Sequence, residues 1–369
     1  MRVLLTGGGT GGHVYPALAV AVVLRQNPEA GVELLYVGSK GGMEAEIVAR
    51  ADLPFRGISA GALRGRSPLG LAAGAGQTVA GLAQALGILG ERRPDAVLAT
   101  GGYVCVPVVL AAWLRRVPIL IYLPDVEPGL AVRLLARFAT RVAVTSGESR
   151  RFFGPRAAKV VETGYPVRPE VWAMDRLRAR ERMGLPADAS VLLIFGGSRG
   201  ARTLNEATAA ALPRLLALGH VVHVCGREDE AAARARRAGL TAALADRYHL
   251  FAYLHSGEMA AALAAADLVV SRSGASTLGE FPAVGLPSVL VPYPYAGAHQ
   301  RLNAEVLASR GAAVVLENEA VRAGALLPTV EALLGDPKRL REMSEAARRL
   351  ARPDAAEAIA RELRNLAGA

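Results

Sequence analysis

Apolar residues along this chain fall into two alternating patterns. Short apolar runs are typical of strands buried on both faces, whereas the segments between them repeat apolar positions at helical spacing. Residues 42–50, for example, place Met43, Ile47 and Val48 on one predicted helical stripe. The strand-like runs of the first half cover residues 3–5, 32–37, 96–99, 119–122 and 142–145. This alternation predicts an α/β fold with a parallel sheet covered by helices.

The pattern breaks once and then restarts. Two prolines and a glycine within residues 164–169 indicate a linker, and an apolar run at 191–195 opens a second series of strands and helices. We therefore predict two Rossmann-like, doubly wound domains that face each other across a cleft, over residues 1–165 and 166–345. We expect residues 346–369 to form a helical segment that packs back on the first domain.

A glycine-rich turn follows the first strand of each predicted domain. At residues 7–13, Gly-Gly-Gly-Thr-Gly-Gly-His follows a strand and opens a helix, so backbone amides and the helix dipole create an anion site with His13 at its mouth. Residues 196–201, Gly-Gly-Ser-Arg-Gly-Ala, repeat this arrangement and place Ser198 to donate to a diphosphate oxygen. The alternatives are a plain strand–helix turn with a surface histidine, and a helix cap at Ser198.

Two later segments also follow predicted strands and begin helices. At residues 271–280, Ser-Arg-Ser-Gly-Ala-Ser-Thr-Leu-Gly-Glu offers helix-start amides to a phosphate and places Glu280 to accept ribose hydroxyls. Alternatively, Glu280 completes a capping box with Thr277. His299 and Gln300 supply polar groups suited to sugar hydroxyls, although each would serve equally as a cap or a surface residue.

The formal net charge of +10 favours an acidic partner. The sequence contains no nucleic-acid-binding motif, so a phosphorylated substrate or an anionic lipid fits better than nucleic acid. Cys105 and Cys225 are far apart in apolar segments, which predicts neither a disulfide nor a metal cluster and favours a reducing cytoplasm. No signal peptide and no apolar stretch of about 20 residues is apparent. Apolar residues beside arginines at 63–71 and 113–116 suit peripheral contact with an anionic leaflet, or alternatively a core helix with a basic end.

Six motifs, in order along nearly the whole chain, resemble the lipid II-forming N-acetylglucosaminyltransferases of glycosyltransferase family 28. They are residues 7–13, 101–103 (Gly-Gly-Tyr), 164–168 (Gly-Tyr-Pro-Val-Arg), 196–201, 271–280 and 299–304 (His-Gln-Arg-Leu-Asn-Ala). The resemblance implies the GT-B fold, with two Rossmann-like domains, and an inverting transfer that needs neither a metal nor a cofactor. It also implies UDP-N-acetylglucosamine as donor, the polyprenyl-pyrophosphate-linked lipid I as acceptor, and a peripheral position on the cytoplasmic face of the cell membrane.

The resemblance further implies roles for individual residues. His13 would be the general base, and Thr10, Gly11 and Gly12 would lie near the donor and the acceptor diphosphate. The substrate-binding residues implied in the second half of the chain and at its linker are Arg168, Ser198, Leu254 near the uracil, Ala275, Ser276, Thr277, Leu278, Gly279, Glu280 on the ribose, His299 and Gln300.

This chain departs from the family's pattern at two places. The family usually has His-Glu-Gln-Asn after the strand at 119–121, whereas this chain has Tyr-Leu-Pro-Asp at 122–125. Asp125 still offers an acceptor for a sugar hydroxyl, and it is the next candidate for the base after His13. His299 stands where a glutamine is usual.

Other activities fit the same fold. A diacylglycerol glycosyltransferase, a UDP-sugar epimerase and a non-catalytic sugar-nucleotide-binding subunit are the alternatives. A nicotinamide dehydrogenase is disfavoured, because neither half combines a Gly-x-Gly-x-x-Gly turn with an acidic residue in the expected strand-end position; Glu33 lies inside the next predicted strand.

Overall fold

The computed structural model describes residues 1–26, 31–61, 68–197, 201–294 and 299–368. The chain divides into two compact units. The first unit comprises Met1–Arg168 and the residues from Pro353 onward, and the second comprises Pro169–Arg352.

The order of elements is a repeated alternation of strands and helices. The strands are β1 (Arg2–Thr6), β2 (Glu33–Ser39), β3 (Phe55–Ile58), β4 (Ala96–Ala99), β5 (Ile119–Leu123), β6 (Arg141–Val144), β7 (Val160–Glu162), β8 (Val191–Phe195), β9 (His220–Val224), β10 (Tyr248–Phe251), β11 (Leu268–Ser271), β12 (Ser288–Leu290) and β13 (Ala313–Val315). The helices are α1 (Gly11–Arg25), α2 (Glu44–Ala49), α3 (Pro68–Arg92), α4 (Cys105–Leu114), α5 (Leu130–Leu135), α6 (Pro169–Trp172), α7 (Arg176–Met183), α8 (Arg202–Leu218), α9 (Glu230–Ala238), α10 (Ala242–Ala245), α11 (Ser256–Ala265), α12 (Thr277–Val284), α13 (His299–Ser309), α14 (Asn318–Arg322), α15 (Leu326–Leu334), α16 (Pro337–Leu350) and α17 (Ala355–Leu366).

The first unit is built on one parallel sheet in the order β3-β2-β1-β4-β5-β6-β7. The strand order reverses between β1 and β4, which pair in register from Val3 opposite Ala96 to Thr6 opposite Ala99. Loops that leave the carboxyl ends of two such neighbouring strands meet at the reversal, where doubly wound sheets bind their ligands.

Successive residues of β1 belong to the two layers that cover the sheet. Val3 and Leu5 pack in the layer that contains α1 and α17, whereas Leu4 packs in the layer that contains α3 and α4. Because side chains alternate across a strand and both faces are covered, the central positions of this strand, residues 3–5, have to be apolar. The apolar run at the start of the sequence therefore has a direct physical cause.

The second unit repeats this architecture with the order β10-β9-β8-β11-β12-β13, again parallel throughout. Its strand order reverses between β8 and β11, and Leu192 and Ile194 of β8 pack with helices α8 and α15. The predicted α/β class with two parallel-sheet domains is confirmed. The first boundary lies at Arg168 rather than 165, and the second lies at Arg352 rather than 345, because α16 packs on α12 and α15 of the second unit.

Some elements differ from the sequence pattern. The edge strands β3 and β7 and the short helix α5 lie in segments without a clear apolar period. In α2 the predicted stripe was wrong at its start, because Met43 is 44% exposed whereas its neighbour Glu44 is completely buried. Among the residues that the structure describes, none of the helices is long and apolar enough to cross a bilayer.

Candidate active site

Two glycine-containing loops contact each other at the carboxyl ends of β1 and β4. The Gly8 amide donates to the Gly101 carbonyl at 3.1 Å, and the Thr100 hydroxyl donates to the His13 carbonyl at 2.6 Å. The ring of His13 covers Gly101, where an added Cβ would lie 2.7 Å from the His13 Cδ2 atom. The backbone at Gly101 also has a φ of 118°, so both the lack of space beside His13 and the backbone conformation require glycine here.

The imidazole of His13 is oriented by the first loop. Its Nδ1 atom lies 3.0 Å from the Gly8 carbonyl oxygen and 3.3 Å from the Thr10 hydroxyl. A carbonyl oxygen only accepts, so this hydrogen bond requires a proton on Nδ1, and in the neutral ring the lone pair is then on Nε2. A half-buried imidazole in this tautomer is suited to accept a proton at Nε2.

The first turn of α1 has the backbone geometry on which the predicted anion site depends. Thr10 is the extended N-cap residue, and its side chain makes no capping hydrogen bond. Gly11 and Gly12 are the first helical residues and are partly accessible, so their amides point out of the helix start. One short segment therefore combines amide donors with an oriented imidazole.

Arg168 is the last residue of the first unit and lies against the same helix. Its guanidinium carbon is 4.7 Å from the centre of the Tyr15 ring, a cation–π distance, and the residue is only 9% exposed. This contact brings a buried positive charge to α1, whose first turn carries His13.

Asp125 follows β5 and is half-buried at the same edge of the sheet as the two glycine loops. The two residues before Pro124 are core residues. Leu123 is buried, and the Tyr122 hydroxyl lies 2.7 Å from the Thr145 hydroxyl. Burial raises the pKa of Tyr122 well above its usual value of 10, so this phenol stays protonated. Asp125 is consequently the polar side chain that this altered segment offers.

In the second unit, the loop after β11 leads directly into α12. Glu280 is buried on the first turn of α12, and its amide donates to the Ser276 carbonyl at 2.8 Å. The Thr277 hydroxyl instead donates to the Gly274 carbonyl at 2.7 Å. The alternative capping box between Thr277 and Glu280 is therefore wrong, because Thr277 is already inside the helix. The rest of this segment, Ala275, Ser276, Leu278 and Gly279, forms the loop end and first turn around Glu280.

The start of α13 is bonded to that loop. The Ser273 hydroxyl donates to the Gln300 carbonyl at 2.7 Å, and the Asn303 side-chain amide donates to the Ser273 carbonyl at 3.0 Å. The Gln300 side-chain oxygen accepts from the Tyr293 amide at 2.9 Å, and His299 is the first residue of the helix. The structure thus brings the predicted residues of α12 and α13 together at the carboxyl edge.

Two predicted residues stand apart from this group. Leu254 is buried between β10 and α11, and β10 is the edge strand of the second sheet. Ser198 lies outside the described residues. Within those residues there is no group of three or more side chains that would hold a metal ion.

The sequence pattern missed several polar residues near these strand ends. Arg272 donates to the carbonyls of Val291 and Pro292, at 3.1 and 3.3 Å, and so ties the end of β11 to the loop after β12. His223 is buried between Tyr248 and Asn205, with distances of 2.8 Å to the phenol and 3.0 Å to the amide oxygen. Burial lowers the pKa of His223 to about 4, so its ring is neutral at pH 7. Arg272 lies within the motif at 271–280, but the motif does not indicate its contacts with residues 291 and 292, and no local motif marks His223, whose partners are far away in sequence.

The comparisons with known proteins agree with this architecture. Residues 3–144 match the glycosyltransferase family 28 N-terminal domain, and residues 191–359 match the glycosyltransferase family 28 C-terminal domain. The chain is a glycosyltransferase of the GT-B type.

Curated relatives narrow the class. A UDP-N-acetylglucosamine--N-acetylmuramyl-(pentapeptide) pyrophosphoryl-undecaprenol N-acetylglucosamine transferase of Roseiflexus sp. is 47% identical, covering 98% of this chain and 94% of its own. The enzyme of the same name from Desulforudis audaxviator is 46% identical, covering 100% of this chain and 99% of its own. The chain belongs to this family of N-acetylglucosamine transferases, and the family expected from its motifs is confirmed.

Solved structures show the same fold. The crystal structure of Acinetobacter baumannii MurG superposes with a TM-score of 0.73 at 28% identity, covering 99% of both chains. A putative UDP-N-acetylglucosamine 2-epimerase from Listeria monocytogenes has an equal TM-score at 15% identity, covering 99% of this chain and 96% of its own, which is a likeness of fold alone.

Proposed function

We propose that this protein transfers N-acetylglucosamine from UDP-N-acetylglucosamine to lipid I, giving lipid II, with inversion at the anomeric carbon. The observation that carries the proposal is that one segment, Thr10 to His13, joins helix-start amides to an imidazole with its lone pair on Nε2. An acceptor that carries a diphosphate and a sugar hydroxyl needs this combination. The names of the relatives supply the identity of donor and acceptor.

In the proposed reaction, His13 Nε2 takes the proton of the acceptor hydroxyl as that oxygen attacks the donor sugar. The bond from the sugar to UDP breaks at the same time, and negative charge develops on the diphosphate. Amides at the start of α12 and the Arg168 guanidinium are suited to stabilise that charge. Thr10, Gly11 and Gly12 would hold the acceptor diphosphate.

The second unit would hold the nucleotide. Its proposed contacts are Glu280 on the ribose hydroxyls, Ala275 to Gly279 on the diphosphate, Leu254 near the uracil, and Ser198, His299 and Gln300 on the diphosphate or sugar. Asp125 would bind an acceptor hydroxyl, and it is the base to test next if replacing His13 leaves turnover intact.

We also propose a peripheral position on the anionic cytoplasmic face of the membrane. Helices α4 and α5 pack together and expose Trp113, Leu114, Leu130 and Leu134, by 50%, 54%, 70% and 48%; we call these four residues the α4–α5 patch. Exposed arginines, including Arg115, lie beside it. Apolar residues rimmed by positive charge fit the interface of an anionic leaflet. The other predicted segment, 63–71, lies outside the residues whose side chains are described.

A UDP-release assay tests the proposed activity. The protein is incubated with UDP-N-acetylglucosamine or other UDP-sugars, with a lipid I analogue, with diacylglycerol, or without acceptor. We expect UDP release that requires both UDP-N-acetylglucosamine and the lipid I analogue. Turnover with diacylglycerol alone would indicate a different lipid glycosyltransferase, and absence of turnover with every pair would favour the non-catalytic subunit.

A further inference from the structure

Glu44, the first residue of α2, is a completely buried carboxylate beneath the first glycine loop. Its Oε1 atom accepts hydrogen bonds from the amide of Ser39, at 2.7 Å, and from the Ser39 hydroxyl. Its Oε2 atom has no hydrogen-bond partner among the described residues. Buried polar atoms are nearly always paired, so an acid retained in this position calls for an explanation other than packing.

The backbone around the carboxylate is made of glycine. A Cβ added at Gly8 would lie 2.6 Å from Oε1, one at Gly42 would lie 2.5 Å from Cδ, and one at Gly38 would lie 2.7 Å from Cγ. These distances are shorter than those that real Cβ atoms show. The carboxylate of Glu44 therefore packs closely against the Cα of Gly8, and a larger residue at Gly8 would displace one or the other.

Gly8 is the residue that orients the imidazole. Its amide donates to the Gly101 carbonyl, and its carbonyl oxygen lies 3.0 Å from His13 Nδ1. Glu44 thus contacts the peptide unit whose carbonyl fixes the tautomer of His13. In the part of the chain that the structure describes, neither Glu44 nor Ser39 hydrogen-bonds to the imidazole, so the effect would pass through the loop.

We propose that Glu44 is a positioning residue for His13. Its carboxylate, held by Ser39, supports Gly8 so that the Gly8 carbonyl accepts from Nδ1 and the lone pair stays on Nε2. The inference rests on the proposed function only in assigning His13 as the base. Small displacements of a catalytic group from its productive geometry reduce turnover by up to about 100-fold, which sets the size of the expected effect.

The test compares Glu44→Ala, which removes the support, with Glu44→Gln, which keeps the volume and an oxygen for Ser39. Glu46→Gln, an exposed acid on the same helix, is the matched control. With UDP-N-acetylglucosamine and a lipid I analogue, we expect Glu44→Ala to lower kcat roughly 10- to 100-fold with an unchanged KM for the donor. Glu44→Gln should retain most of kcat, and Glu46→Gln all of it. Melting temperatures are measured for each variant.

A second comparison separates positioning from loss of stability. In a His13→Ala background, Glu44→Ala should reduce the residual turnover by less than twofold, because no base remains to be positioned. Nitrogen NMR of the His13 ring should show the proton on Nδ1 in the wild type and in Glu44→Gln, and a mixture of tautomers in Glu44→Ala.

The outcomes are distinct. Three results would each overturn the proposal. Glu44→Ala could keep the wild-type kcat and ring tautomer, or Glu44→Ala and Glu44→Gln could lose equal fractions of kcat. Alternatively, Glu44→Ala could lower turnover by the same factor with and without His13. If the wild type transfers no sugar, the proposed function fails, yet the ring tautomer still reports on whether Glu44 positions His13.

Discussion

At the scale of single residues, the chemistry of this protein depends on which atoms of each side chain are already hydrogen-bonded. The His13 ring uses Nδ1 toward Gly8 and keeps Nε2 for a reacting hydroxyl. The buried phenol of Tyr122 is engaged with Thr145 and remains protonated, so it does not replace a base. Two predictions follow from such assignments, one for each unit.

Replacing His13 by alanine removes the proposed base. We expect kcat to fall by about 10²- to 10⁴-fold, the usual contribution of a positioned general base, with little change in the KM for UDP-N-acetylglucosamine. Steady-state kinetics with a lipid I analogue measure both. Near-normal turnover in His13→Ala would contradict the assignment of His13 and make Asp125 the next candidate for the general base. Asp125→Asn would then show the larger loss of kcat.

Replacing Glu280 by glutamine removes the acceptor that we propose for the ribose hydroxyls. Hydrogen bonds to a charged group contribute about 1.5–3 kcal/mol, so the KM for the donor should rise roughly 10- to 100-fold while kcat changes less. Asp246→Asn, at an exposed acid of the same unit, is the control. Calorimetric titration with UDP gives an independent reading, and unchanged affinity would remove Glu280 from the nucleotide site.

At the scale of secondary-structure elements, the sequence predicted best where one physical requirement acts on a whole segment. Residues 3–5 of β1 are all apolar because helices cover both faces of the sheet. The edge strands β3 and β7 were missed because their burial is mixed and their apolar pattern is short. In α2, periodicity placed Met43 inside, yet the glycines around Glu44 bury that acid instead.

The residues of the candidate site also differ in how far the sequence predicts their position. The first glycine turn and the helix starts that carry Glu280 and Gln300 lie where the sequence predicts them, because backbone geometry and helix starts impose local motifs. The tautomer of His13 was not predictable, because it depends on the exact path of the backbone between Gly8 and His13. The contact of Glu44 with Gly8 and the network around His223 were not predictable either, because they join residues distant in sequence. The first division between the two units, after Arg168, falls within the proline- and glycine-containing segment 164–169. The second division, after Arg352, depends on the packing of α16, which no local pattern shows.

The buried histidine of β9 predicts a dependence of stability on pH. His223 has a folded-state pKa of about 4, below the value of about 6.5 for an unfolded chain, so the native state favours its neutral form. The unfolded state then binds the extra proton as the pH falls from 6.5 toward 4, and the stability present above pH 6.5 is lost in that window.

We therefore expect His223→Gln to weaken the pH dependence of unfolding. Between pH 8 and pH 5, the wild type should lose roughly 2 kcal/mol more of its free energy of unfolding than the variant does. Urea titrations at both pH values measure the difference. His249, whose pKa burial also lowers to about 4, contributes equally to both proteins and leaves the comparison intact. Identical pH dependence in the two proteins would contradict the assignment.

At the scale of the whole molecule, the two units carry different parts of the proposed reaction. The first unit holds the proposed anion site with His13, and the second holds the residues proposed for the nucleotide. The first unit also carries the α4–α5 patch, which fits an acceptor anchored in a membrane. The formal net charge of +10 adds a general attraction to an anionic surface.

Membrane contact is tested by co-sedimentation with vesicles that contain an anionic phospholipid. Trp113→Ser combined with Leu130→Ser should reduce binding several-fold, because both remove apolar area that would enter the interface. Leu177→Ser, at an equally exposed leucine of the second unit, should bind as the wild type does. Raising the salt concentration should weaken binding of every form. If neither the substitutions in the α4–α5 patch nor the salt concentration changes vesicle binding, the patch is not the membrane-binding surface.

The chemical structure of the reaction product shows whether the protein is the proposed transferase. The protein is incubated with UDP-N-acetylglucosamine and a lipid I analogue, and the lipid fraction is analysed by mass spectrometry and NMR. The account predicts one added N-acetylglucosamine joined to the acceptor sugar by a β-linkage, with equimolar UDP released. An epimerised nucleotide sugar without any lipid-linked product, or an α-linkage on the acceptor, would contradict it.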